Sequence, residues 1–317
     1  MNATYEGING SGEAFQGISI ACLFCIIVLI FGTNSMVCIV VWVTKSINPV
    51  SGLLMRALAA TDLMVGFLHS FAFVSAIRQD WIFGNTMCKI TGILMFSTVA
   101  MTLYTLCLSS IDRYIFVVFP LKYSALVTTK RIHLALAVLW LVSIALGTLY
   151  TNYFVYIPRI YQCQVDYTQI NQFIPQYIVS SLVWLLPCVV ITSSCHIKIL
   201  VLARQQRRKV KPQIDTKQKT STPSNGQRNL LSLLLVTLAS ILCWTPSLLY
   251  TIIISAIGQT GHEVVLFICH YMAVCSSFLN WFIYYSTQPL FRKGQKSIYC
   301  FFKQTVMQKC VLSHWLW

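Results

Sequence analysis

Two groups of charged residues stand where an apolar chain should have none. Asp112 and Arg113 are adjacent at the end of an apolar run that begins near Ile90, and Tyr114 follows them. Charge inside or at the rim of a membrane helix is costly, so an acid and a base together there point to a functional element. The plainer alternative is a charge pair marking where a span meets water. Asp62 is the second case, following Leu58-Ala59-Ala60-Thr61 in the middle of another apolar run. A lone carboxylate at that depth needs a partner, a water cavity, a cation or a proton, or else is a neutral acid hydrogen-bonded to a neighbouring helix. Asn34, Thr102, Ser276, Ser277 and Asn280 fall at similar depth in their own runs and form a candidate polar cluster around it.

These residues presuppose a bilayer. Of 317 residues, 56% are hydrophobic and 10% charged, which leaves too little polar surface to cover a soluble globule. Seven apolar stretches are long enough to cross about 30 Å of hydrocarbon as helices. They are Ile18–Val43, Ser51–Ile77, Asn85–Val118, Ile132–Phe154, Gln172–Ala203, Asn229–Ile257 and Glu263–Ser286. Basic residues set the orientation. With the N-terminus outside, all 23 Lys and Arg except Arg78, Lys89 and Arg159 fall on or near the inner face. The net charge of +15 then belongs to the cytoplasmic side, where attraction to anionic lipid accounts for it without nucleic acid.

Three regions follow: an extracellular tail over 1–17, the seven-span domain over 18–286, and a cytoplasmic end over 287–317. The tail lacks the basic start of a cleavable signal, so the first span is expected to serve as an uncleaved anchor. Asn2-Ala3-Thr4 and Asn9-Gly10-Ser11 are glycosylation sequons on the outer side. Of 13 cysteines, only Cys88 and Cys163 fall in outer segments, where a disulfide forms and persists, and one bridge between them is predicted. The others sit in spans or on the reducing side as small buried hydrophobes, without metal-ligand spacing.

Asp112-Arg113-Tyr114 at the end of the third span resembles the signature of rhodopsin-like, class A G-protein-coupled receptors. Asn34, Leu58-Ala59 with Asp62, the Cys88 and Cys163 pair, Trp140, Pro187, Cys243-Trp244-Thr245-Pro246, and Asn280 with Tyr284 resemble that family's landmarks in the family's order. The resemblance implies an all-α membrane protein: a seven-helix bundle with a short amphipathic eighth helix, residing in the plasma membrane. It implies an extracellular ligand and a heterotrimeric G protein as partners, and no enzymatic activity. Arg113, a planar fork of donors, would pair with Asp112 in the closed state and meet the G protein in the open one. Pro246 removes a backbone hydrogen bond beside Trp244, giving a hinge, and Trp244 would transmit packing changes.

The pocket implied by the family's positions is lined by Met95 and Val99 in the third span and Val179 and Val183 in the fifth. Trp244, Ser247, Leu248 and Thr251 come from the sixth, and His270, Tyr271 and Val274 from the seventh. Met95 replaces the acid that amine receptors of the family use, so a conventional monoamine is disfavoured. Val274 replaces the retinal lysine, and without an amine no Schiff base forms. The lining is apolar with a few polar handles, as small-molecule sites are. His270 reads as a hydrogen-bonding or proton-sensing group, or as a packing residue. No cofactor is required, while the family implies an allosteric sodium ion at Asp62 with Thr102, Ser276, Ser277 and Asn280.

The sequence also departs from the family. Trp281 stands where helix seven of the family has proline, Cys195 replaces a helix-five tyrosine, and the start of the sixth span offers no acid to lock Arg113. High basal activity is one consequence to test. The segment Arg204–Gln227 is basic and polar, fitting partner contact or lipid attraction equally. After Pro289, apolar Leu290, Phe291 and Ile298 interleave with Arg292, Lys293 and Lys296 as an interfacial helix requires, and Cys300 is a palmitoylation candidate or a plain interfacial cysteine. Other readings are a signalling-silent scaffold or dimer partner, and a cation-coupled transporter, against which the absence of an internal repeat counts.

Overall fold

The computed structural model describes residues 2–165, 174–210, 225–257 and 263–314, with side chains over 14–165, 186–202, 204–205, 231–254, 264–301 and 303–304. The helices are α1 Asn2–Val43, α2 Pro49–Arg78, α3 Gly84–Val118, the short α4 Tyr123–Leu126, α5 Thr129–Thr148, α6 Ile174–Val210, α7 Asn225–Ile257, α8 Glu263–Thr287 and α9 Pro289–His314. The seven expected spans are α1, α2, α3, α5, α6, α7 and α8. Six of them are long and apolar enough to cross a membrane, and the described part of α6 adds the shorter apolar stretch Leu186–Leu202.

Local chemistry sets several ends. Asn48 caps α2 by accepting from Val50 N (2.9 Å) and Ser51 N (3.3 Å), with Pro49 at the first helical position. Thr128 caps α5 through Arg131 N, while the Arg131 guanidinium donates to Ala125 O and Leu126 O and so ties α4 to α5. Pro187 and Pro246 lie inside α6 and α7.

The fourth span is shorter than predicted. Its helix ends at Thr148, and the chain passes through a 3-10 turn, Thr151–Tyr153, into β1 Phe154–Ile157. Phe154 and Val155 extend the apolar run, but their aromatic and β-branched side chains suit a strand. β1 pairs antiparallel with β2 Gln162–Val165, Tyr156 opposite Cys163. The Cys88–Cys163 disulfide fastens this hairpin to the start of α3. Gly92 of α3 lets it close, because a Cβ there would lie 2.5 Å from the Phe154 ring.

Three apolar clusters fill the bundle. Near the disulfide, Leu23, Leu68, Met95, Tyr161, Phe267, Tyr271 and Val274 pack together, joining α1, α2, α3, α8 and the hairpin turn. Tyr161 holds a left-handed backbone (φ 57°), unfavourable for a bulky residue, and burial of its ring in this cluster offsets the cost. At the opposite end Val40, Leu58, Leu106, Val236, Tyr284 and Phe291 form a second cluster. A third joins α2, α3 and α5 through Leu54, Met101 and Leu136, with Trp140 against it. α9 docks beside α1 at Gly294, where a Cβ would collide with Thr44.

Candidate functional site

The end of α3 carries the charge pair. Arg113 Nη2 lies 3.0 Å from Asp112 Oδ2, and both residues are buried. Tyr123 of α4 donates its hydroxyl to Asp112 Oδ1 at 2.6 Å. Burial, and then the neighbouring Asp112 carboxylate, push the Tyr123 phenol well above its ordinary range, so it remains a donor. The guanidinium also faces the Phe116 ring (5.7 Å), one turn along α3. From α6, His196 Nε2 donates to Ser110 Oγ (3.2 Å), whose own proton goes to Leu106 O, and Lys198 Nζ stands 5.6 Å from the centre of the Tyr114 ring. α7 is tied in differently: Gln288, between α8 and α9, donates Nε2 to Ser232 Oγ at 3.0 Å. Tyr284 is buried against Phe291, ring centroids 5.9 Å apart, and Cys195 is buried in α6.

At mid-depth Asp62 is 1% exposed and accepts from Asn280 Nδ2 at 2.9 Å, with the Ser277 side chain beside it. Asn34 reaches across from α1 and donates to Ser277 O at 2.9 Å. Thus α1, α2 and α8 meet at one polar point. Thr102 and Ser276 direct their hydroxyl protons to carbonyls of their own helices, Thr98 O and Ala273 O, and offer only lone pairs outward. The oxygens of Asp62 and Ser277 are hard donors of the kind a hard cation takes.

Near the disulfide, the expected lining divides. Met95, Tyr271 and Val274 come together in the first apolar cluster, and Val99 is half-buried one turn farther along α3. Trp244, Ser247 and Thr251 are half-buried on α7, Thr251 donating to Ser247 O, while Leu248 is 47% exposed. The side chains of Val179 and Val183, like those of Asn2 and Asn9, lie outside the described residues, as does the segment 211–224. His270 is clamped by the hairpin: its Nε2–H donates to Gln162 Oε1 and its Nδ1 accepts from Gln164 Nε2, both at 3.1 Å. Tyr271 donates to Ile160 O at 2.7 Å. Both imidazole nitrogens are engaged, which makes His270 a neutral tie between α8 and the hairpin.

A sequence profile of the 7 transmembrane receptor (rhodopsin family) matches residues 33–284, most of the chain. The chain belongs to that family. It is a family of receptors, not of enzymes. The receptor is 28% identical to Melatonin receptor type 1B-B of Danio rerio over 84% of its own length and 78% of that protein's. It is 29% identical to a Gq-coupled rhodopsin of Mizuhopecten yessoensis, covering 79% of this chain and 53% of the relative. Neuropeptide Y receptor type 6 of Mus musculus is 23% identical over 83% and 75%.

In the receptor, Trp281 takes the place of the helix-seven proline without breaking α8. Its indole stacks on Tyr285 at 5.4 Å and packs against the second apolar cluster. Cys300 is exposed on α9. Sequence reasoning missed Tyr123, Gln162, Gln164, Ser232, Gln288 and His69. Only His69 left a signal: an imidazole in an apolar span, seven residues and thus two turns from Asp62 on one helix face.

Proposed function

We propose that the receptor binds an extracellular ligand in the apolar cluster beneath the hairpin and activates a heterotrimeric G protein at the Arg113 face. The observation that carries this is Arg113 itself, a buried guanidinium held by one carboxylate that Tyr123 holds in turn. A buried cation whose ion-pair partner among the described residues is one carboxylate is poised for release to another acceptor when the helix ends part. The basic residues at that face favour a cytoplasmic placement, the N-terminus lying outside the plasma membrane with Asn2 and Asn9 as glycan acceptors. Cys300 on α9 would carry a palmitoyl group at the same interface. Asp62, Ser277 and Asn280 would hold a sodium ion, with the Thr102 and Ser276 oxygens nearby in depth. The ion would supply positive charge to a carboxylate that has no basic partner among the described residues.

The relatives' names span melatonin, rhodopsin and neuropeptide Y, ligand classes too unlike to select one by similarity. Met95 and Val274 disfavour a monoamine and a retinal Schiff base. The test is basal G-protein dissociation in cells, wild type against Arg113→Ala at matched surface expression across the main G-protein classes. Loss of the wild-type signal in the variant is expected and names the transducer. Equal signals in both would refute Arg113 as the coupling residue.

A further inference from the structure

The buried polar atoms near the disulfide do not all find partners. His69 is 0% exposed, and its Nδ1 lies 2.8 Å from Val65 O. A carbonyl accepts only, so Nδ1 carries the proton and Nε2 is left as an acceptor. Among the described residues that Nε2 has no hydrogen-bond partner. Its ring lies 6.0 Å from the ring of His270 and 5.9 Å from that of Tyr271. Gln162, 2% exposed, accepts from His270 with its Oε1, and its amide NH2 is also without a partner among the described residues. An unmet acceptor from α2 and an unmet donor from β2 therefore flank the same imidazole. Leaving each buried and unmet is costly, so a group that meets both is strongly favoured.

The surroundings decide the charge of that group. Among the described residues, the buried Asp, Glu, Lys and Arg side chains are Asp62, Asp112 and Arg113. Asp62 lies two turns along α2 and is engaged by Asn280, while Asp112 and Arg113 pair with each other at the other end of α3. A cationic or anionic head beside His69 would be desolvated without a counter-charge.

We propose that His69 Nε2 and the Gln162 amide form the specificity-determining subsite of the ligand pocket. The subsite takes an uncharged group that presents a hydrogen-bond donor and acceptor side by side, as a carboxamide or lactam does. The assignment rests on the pocket reading above, and three probes with one ring test it: benzamide, benzoate and benzylamine, titrated by ligand-observed NMR against the full-length receptor in lipid nanodiscs. Benzamide is expected to bind at least fivefold tighter than either charged analogue. His69→Phe keeps the ring and Gln162→Met keeps the length; each is expected to weaken benzamide roughly five- to tenfold and leave the other two probes unchanged. If one variant fails to fold, the other and the wild-type preference still decide. Equal binding of the three probes, or a benzamide preference that survives both substitutions, overturns the subsite and leaves its polar atoms to water. Val274→Trp fills the cluster and is expected to abolish binding of all three; binding that persists there overturns the pocket reading itself.

Discussion

Asp112 and Arg113 stand out because their types are costly at their depth, and the landmarks in the other spans set them apart from a charge pair that only marks where a span meets water. Tyr123 was not legible, since a tyrosine in a loop eleven positions later carries no mark of the carboxylate it serves. Its bond is a strong one, short and made to a charged acceptor. Tyr123→Phe removes it while keeping the ring that meets Phe116 edge-on at 5.2 Å. With Asp112 less firmly placed, the closed state should lose about 1 kcal/mol, roughly a fivefold shift towards the open one. Basal nucleotide exchange in membranes at matched receptor density should rise by a few-fold. Unchanged exchange would mean that Arg113 alone fixes the Asp112 carboxylate.

Trp281 shows what one residue does to an element. In an unbroken helix the Trp281 N–H bonds the carbonyl four residues back, Ser277 O, and Asn34 already donates to that same oxygen. Proline in a helix interior costs about 3 kcal/mol, partly through the carbonyl it orphans. Here Asn34 would keep that carbonyl satisfied, so Trp281→Pro is expected to lower the melting temperature less than proline at the neighbouring Phe282. It should also raise coupling by loosening α8 above Tyr284, and no gain in coupling would show that the helix-seven proline matters little to this chain. Phe291 is 0% exposed and pins α9 to the second cluster, so Phe291→Ala should cost roughly 3 kcal/mol and lower the melting temperature by several degrees. Spans were legible because burial in lipid demands an apolar run. The hairpin was not, because Phe154 and Val155 are as apolar as a helix end. The Gln162, Gln164 and His270 clamp joins positions more than a hundred residues apart, and a polar loop residue carries no address.

Across the whole molecule, α8 runs from the hairpin clamp past Asp62 to the second apolar cluster. The hairpin holds one end through His270 and Tyr271, Asp62 and Asn34 hold its middle, and Tyr284 and Gln288 hold the other end against Phe291 and Ser232. A ligand that moves the hairpin clamp therefore acts on a rod whose far end packs against Phe291 and, through Gln288, reaches Ser232 of α7, provided it binds the two states unequally. A cation at Asp62 would act on the rod from its middle. If it binds only the closed state, sodium at ten times its dissociation constant stabilises that state by about 1.4 kcal/mol, a tenfold change in the ratio of states. Basal exchange should then be lower in sodium chloride than in N-methylglucamine chloride at equal ionic strength, and the melting temperature higher. Asp62→Asn should abolish both differences, since a neutral amide keeps the bond to Asn280 and loses the charge. A wild type indifferent to the cation by both measures would make Asp62 a neutral acid shared with Asn280, and the coupling through α8 purely one of packing and hydrogen bonds.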